Sequence, residues 1–171
     1  MVENKDLQLP NVISEFLNRF FFPERPNDHY SRADTPARSL IAAHELLSKL
    51  ANQIESHAAG APYPQVAQAL HNVATEKYAS ANKLKTIIET LGEKTRSLAG
   101  EPKPGKNHWD RLNQDLQDQI AVDDLLLKLE LKAGENSETA RIVKELRISQ
   151  KSHQRVLSDL IAIADPQATQ T

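Results

Sequence analysis

Four stretches of the chain carry polar residues in the middle of an otherwise apolar helical stripe. These are His44 or Glu45 in the first stretch, Lys77 and Ser80 in the second, Asp124 in the third, and Gln150 and His153 in the fourth. Buried polar groups are costly unless they are paired, and helical bundles build metal and cofactor sites from inward-facing side chains. We therefore predict one buried polar layer made of Glu45, Lys77, Ser80, Asp124, Gln150 and His153.

The stretches that must position this layer are separated by proline and glycine. We predict helices over about 36–57, 64–99, 107–134 and 137–164, with residue 92 bending or fraying the second. Apolar residues recur at spacings of three and four, and no stretch alternates with period two. The stripe of the second helix is Leu70, Val73, Lys77, Ser80, Leu84, Ile87 and Leu91; that of the third is Leu112, Leu116, Ile120, Asp124, Leu127 and Leu131. This pattern predicts an all-α, antiparallel four-helix bundle.

The two halves of the chain resemble each other. Residues 42–50 match residues 121–129 in five of nine positions, and Lys77-x-x-Ser80 has the same stripe spacing as Gln150-x-x-His153. The chain from about 36 to 164 resembles the ferritin-like, rubrerythrin-type bundle. In that family each helix hairpin supplies one Glu and then Glu-x-x-His, and these residues hold two iron ions. The resemblance implies a ferritin-like fold.

The family's ligands are only partly matched here. Gln150 and His153 take the place of one Glu-x-x-His and Lys77 and Ser80 that of the other, while Asp124 matches the lone carboxylate. In the first helix, Glu45 aligns with Asp124 when the two halves of the chain are matched by sequence, whereas His44 occupies the corresponding position of the apolar stripe. Because a lysine repels iron, a normal di-iron site is not expected. We expect the Lys77 ammonium to take the place of the metal charge between Asp124 and Glu45. The alternative is that Lys77 extends outward to solvent and Ser80 only lets the helices approach.

A reduced metal site is a second hypothesis. His44, Asp124 and His153 would supply two histidines and one carboxylate, a pattern used by non-haem iron, and Glu76 could join by a small rotation. The protein would then be an iron or manganese oxidoreductase or a storage-like protein.

Residues 1–35 form an arm that precedes the bundle of residues 36–165, and residues 166–171 form a tail. All four phenylalanines lie in residues 16–22, where Val12, Ile13, Phe16, Leu17 and Phe20 share one helical face. We expect a short amphipathic helix that packs on the bundle or docks on a second subunit or another protein.

Composition excludes several chemistries. The 171 residues include no cysteine and only 5 glycines, so disulfides, thiolate metal sites and glycine-rich phosphate loops are not available. A net charge of −2 without a basic stripe gives no nucleic-acid footprint. No apolar run approaches a membrane span and the start carries no secretory signal, so we expect a cytoplasmic protein.

Two functions remain, beside a third class, a small-molecule binder, which would need an internal cavity that a sequence does not show. The first is a ferritin-like bundle without cofactor that has lost its di-iron site and acts as a non-catalytic interaction or scaffold module, in the form of a homodimer or with a protein partner. The second is the atypical metal protein. The sequence does not decide whether the chain is an enzyme.

Overall fold

A computed structural model describes residues 36–95, 101–134 and 137–164 of the chain. These residues form four α-helices: α1 (Pro36–Ala59), α2 (Pro64–Thr90), α3 (His108–Ala133) and α4 (Glu138–Ala164). The predicted N-terminal amphipathic helix and the C-terminal tail lie outside the described residues. No helix in the described part is long and apolar enough to cross a membrane.

Most helix ends lie at or next to a proline, asparagine or glycine of the sequence. Asn107 caps α3 by accepting a hydrogen bond from the backbone N–H of Asp110 at 2.8 Å. The predicted end of the second helix, at residue 99, is wrong, because α2 ends at Thr90. Gly92 has a φ of +78°, a conformation that glycine adopts readily, and the N–H of Glu93 closes the helix end on the carbonyl of Ile88.

The helices pack as an antiparallel bundle. α1 pairs with α2 and α3 pairs with α4, and α1 also contacts α3. Gln53 and His57 of α1 reach Asp118 and Asp115 of α3 respectively, so the two helices run in opposite directions. The core is formed by leucine, isoleucine, valine and alanine side chains from all four helices.

The predicted inward face of α3 is wrong by about a third of a turn. Leu112 is buried as predicted, but Ile120, Leu127 and Leu131 are exposed and Leu116 and Asp124 are half-buried. The buried line of α3 instead consists of Leu112, Asp115, Gln119, Val122, Leu126 and Leu129. α3 turns polar side chains inward because the other helices supply partners for them. The stripe of α2 is right from Leu70 to Leu84, after which Ile88, in place of Ile87, is buried.

Candidate functional site

Lys77 lies at the centre of the bundle with its side chain fully buried. Its amine Nζ donates to Oε1 of Gln119 and to Oε1 of Gln150, the latter at 2.8 Å, and lies 3.4 Å from Nδ1 of His153. These three residues come from α3 and α4. The alternative in which Lys77 extends to solvent is therefore wrong, and the expected contacts with Gln150 and His153 are present.

All three groups that accept from Lys77 are neutral when His153 is neutral. Nε2 of Gln119 also donates to Oε1 of Gln150 at 3.1 Å, so the two amides are fixed in one orientation. Ser80, one turn along α2 from Lys77, donates its hydroxyl to the carbonyl of Glu76 at 2.9 Å. The polar layer thus holds a lysine among amides and an imidazole.

His153 connects this layer to the surface. Its Nε2 lies 2.8 Å from Oε2 of Glu76, whose side chain is 62% exposed, while His153 itself is buried. A neutral imidazole with its proton on Nε2 donates to Glu76 and accepts from Lys77 through Nδ1. A continuous line of hydrogen bonds therefore runs from solvent to the buried amine.

The electrostatics of the layer favour uncharged groups. Burial lowers the pKa of Lys77 to about 7, although the charges of Asp115 and Glu76 oppose that shift. Burial and the nearby Lys77 also lower the pKa of His153, against the hydrogen bond and charge of Glu76. The protonation state of Lys77 is therefore sensitive to pH near neutrality.

A second buried polar cluster joins α1, α3 and the segment between the two hairpins. We call Gln53, His57, Lys103, Asp115 and Asp118 the crossover clamp. Gln53 donates to both carboxylates, at 2.8 and 2.9 Å, and Lys103 pairs with Asp118 at 2.8 Å. When His57 is protonated, the clamp contains two cations, His57 and Lys103, and two anions, Asp115 and Asp118. Buried charges are tolerated when they are paired in this way.

The surroundings of His57 in the clamp favour its protonated form. Its Nδ1 lies 2.8 Å from Oδ2 of Asp115 and its Nε2 lies 2.9 Å from the carbonyl oxygen of Lys103. Because both neighbours only accept hydrogen bonds, the doubly protonated ring satisfies both. Burial alone lowers the pKa of His57, but the hydrogen bonds and charge of its partners outweigh burial and raise that pKa.

Two members of the expected polar layer, Glu45 and Asp124, are less buried than Lys77. Glu45 and Asp124 are half-buried, and the oxygen atoms that accept from Lys77 belong to Gln119 and Gln150. Glu45 lies eight residues from Gln53 on α1, which is about 12 Å along the helix axis. The position of the lysine between Asp124 and Glu45 stays a prediction.

The residues of the metal hypothesis are brought together only in part. Glu76 and His153 are in contact, as a rotation of α2 would allow. His44 lies about 13 Å along α1 from Gln53, the α1 residue that reaches Asp115 and Asp118. Across the described ranges, no group of three or more His, Asp or Glu residues is arranged to hold a metal ion. Burial and Lys85 lower the pKa of His44.

Sequence reasoning missed Gln119 and the whole crossover clamp. Asp115, Asp118, Gln119 and Val122 have helical spacing, but the leucine-rich stripe on the same helix was the stronger hydrophobic signal. Gln53 and His57, four residues apart on α1, share a face with the leucines of that helix. A search for polar residues in phase with leucines on all four helices would have found Gln119 and the four clamp residues that lie on helices.

Comparison with known proteins supports the fold. A solved structure of bacterioferritin from Rhodobacter capsulatus matches with a TM-score of 0.70 and 17% identity, covering 79% of this chain and 88% of that one. That structure is described as having a metal-free dinuclear site and haem iron. No family model and no curated protein sequence matches the chain. The protein has a ferritin-like, all-α four-helix bundle fold.

Proposed function

We propose that the protein is a ferritin-like bundle that has lost its di-iron site and acts as a non-catalytic interaction or scaffold module. The observation that carries this proposal is the position of Lys77. Its fully buried amine donates to side chains of α3 and α4 at the centre of the bundle. The amine, in place of an ion, links the two hairpins there.

The chemistry of the layer supports the loss of metal binding. Iron in ferritin-like bundles is held by carboxylates and histidines, whereas Lys77 contacts two amide oxygens and one imidazole nitrogen. A charged Lys77 ammonium would repel a divalent cation. If the amine is neutral, its contacts are still uncharged amides, and the anionic ligands that the cation needs are not among them. The layer then fixes the register of the helices through hydrogen bonds.

The alternative, an oxidoreductase or storage-like metal protein that uses His44, Glu76, Asp124 and His153, has less support. Glu76 and His153 touch, whereas the α2 charge that acts on His44 is that of Lys85, nine residues or about 13 Å along α2 from Glu76. A metal bound by these residues would require the bundle to repack. Metal binding by these residues is the contrary outcome of the experiment below.

Metal analysis tests the proposal directly. The full chain is purified without added metal and then incubated anaerobically with Fe²⁺, Mn²⁺ or Zn²⁺, and bound metal is measured after desalting. We expect well below one equivalent of each metal per chain, and no oxidation of Fe²⁺ above that in buffer. Binding near one equivalent that His153→Ala abolishes would overturn the proposal. His71→Ala, which changes an exposed histidine, is the control.

A further inference from the structure

The outward stripe of α3 has no partner within the described bundle. Ile120, Leu127 and Leu131 are 38%, 37% and 75% exposed. At about 100° per residue these side chains fall within roughly 40° of arc, about a third of a turn from the buried line. One exposed leucine is ordinary, but a row at helical spacing forms a surface that can pack on another helix.

We propose that this stripe is an interface between two copies of the chain, in which the two α3 helices pack antiparallel about a twofold axis. Such an interface brings the same patch of both copies together. It extends the proposed interaction role but does not depend on the loss of metal chemistry, so metal binding would overturn the function and leave this interface standing.

The charges beside the stripe match this arrangement. Asp124 and Lys128 lie on the same flank of α3, and both are half-buried. When the axis passes between residues 125 and 126, Ile120 faces Leu131 of the second copy. The same placement brings Asp124 to within one residue, or about 1.5 Å along the helix axis, of the level of Lys128 of the second copy, and this pair occurs twice. In a pair of antiparallel helices related by such a twofold axis, the same flank of each helix lies on the same side of the interface. Both ion pairs therefore form on the side that carries Asp124 and Lys128.

The centre of the interface is apolar. Leu127 lies one and a half residues from the axis, or roughly 2 Å along the helix, so the two copies of Leu127 are adjacent. On the other flank, Arg147 of α4 pairs with Asp123 at 3.2 Å and with Glu130 at 2.7 Å. Those two carboxylates are thereby oriented toward their own chain.

The size of the stripe sets the expected affinity. A standard interface buries about 800 Å² on each partner, and one helical stripe supplies less than that. We therefore expect a dimer that dissociates in the micromolar range or more weakly. Sedimentation equilibrium of the full chain from micromolar to millimolar concentration measures it, and a monomer throughout that range would overturn the proposal.

Charge exchange identifies the interface. Asp124→Lys and Lys128→Asp should each weaken the dimer about tenfold or more, because each places two like-charged pairs at the interface. An equal mixture of the two variants should form a heterodimer in which both pairs are restored. A dimer that neither variant weakens would place the contact elsewhere and overturn the proposal.

Cross-linking gives an independent test, because the chain has no cysteine of its own. Leu127→Cys should form an intermolecular disulfide on mild oxidation, whereas Ile163→Cys, an exposed position near the end of α4, should not. Equal cross-linking of both variants would contradict the proposed axis. Coverage of the stripe by residues 1–35 of the same chain would instead give a monomer that does not cross-link at position 127.

Discussion

Glu76 and His153 are hydrogen-bonded at 2.8 Å between α2 and α4, and this contact joins an exposed carboxylate to a buried imidazole. The other nitrogen of His153 faces Lys77 at 3.4 Å. A proton leaving the Lys77 ammonium therefore has a hydrogen-bonded route to solvent that does not require the bundle to open. The buried amine can thus equilibrate with bulk pH while the core stays packed.

The first prediction concerns stability and pH. The pKa of Lys77 is lowered to about 7 in the folded chain, against about 10.4 in an unfolded chain. Folding therefore releases a proton between these pH values. The destabilisation is full below about pH 7, where the charged ammonium is buried, and vanishes above about pH 10, where the amine is neutral in both states. The free energy of unfolding should rise with pH across this window, and Lys77→Met should remove the rise.

Urea unfolding of both proteins from pH 7 to pH 10 measures the effect. At pH 9 to 10 Lys77→Met should be less stable than the wild type by about 1–3 kcal/mol, because amide oxygens lose their donor. The difference should shrink toward pH 7. Lys83→Met, an exposed position on the same helix, is the control. Parallel pH profiles for wild type and Lys77→Met would show that the amine keeps an ordinary pKa.

The second prediction concerns Glu76. Its charge raises the pKa values of both Lys77 and His153. Glu76→Gln should therefore lower the pKa of His153 further in a histidine NMR titration, and should move the pH-dependent rise in stability to lower pH. Glu89→Gln, at an exposed position in the last turn of α2, should leave both unchanged. An unaltered His153 titration in Glu76→Gln would mean that the contact does not form in solution.

The third prediction concerns the crossover clamp. Asp115→Asn removes one partner of a buried pair, so we expect a loss of about 3–5 kcal/mol in the free energy of unfolding. The pKa of His57 is raised in the folded chain, so its contribution is full below about pH 6.5 and is lost as pH rises through the raised value. The variant should lose that pH dependence.

Histidine NMR and urea unfolding at pH 5.5 and 8.5 test the clamp. Glu55→Gln breaks the exposed pair of Glu55 with His71, which lies at 2.9 Å, and should cost less than about 1 kcal/mol. Similar losses for the two variants would argue against a buried, charged His57.

The fourth prediction tests the rotation of α3. Leu112 is fully buried and Leu131 is 75% exposed. Leu112→Ala should lower the free energy of unfolding by about 2–5 kcal/mol, whereas Leu131→Ala should change that of the monomer by less than about 0.5 kcal/mol. Thermal and urea unfolding at low protein concentration distinguish the two. Equal losses would mean that the leucine stripe faces the core.

The four helices could be predicted from sequence because their apolar spacing is regular and their ends carry proline, asparagine or glycine. Lys77, Gln150 and His153 could be placed inside because each stands alone among buried leucines and valines. α3 could not be oriented in the same way. It carries two stripes, and the more hydrophobic one faces outward because Asp115 and Gln119 find partners on the other helices.

Lys103 escaped sequence analysis for a different reason. It lies between two prolines in a segment without helical spacing, and its partner Asp118 lies 15 residues away. Such a contact depends on how the segment between the hairpins is folded against the bundle. Periodicity carries no information about that, so only the three-dimensional structure shows it.

The crossover clamp also bears on the order in which the molecule assembles. Each hairpin can form from contacts close in sequence, whereas His57 lies 58 residues from Asp115, so we expect that contact to form only after the hairpins have docked. Substitutions in the clamp should then accelerate unfolding and leave the rate of folding nearly unchanged. The same few side chains would set the lifetime of the native state without governing how quickly the chain reaches it.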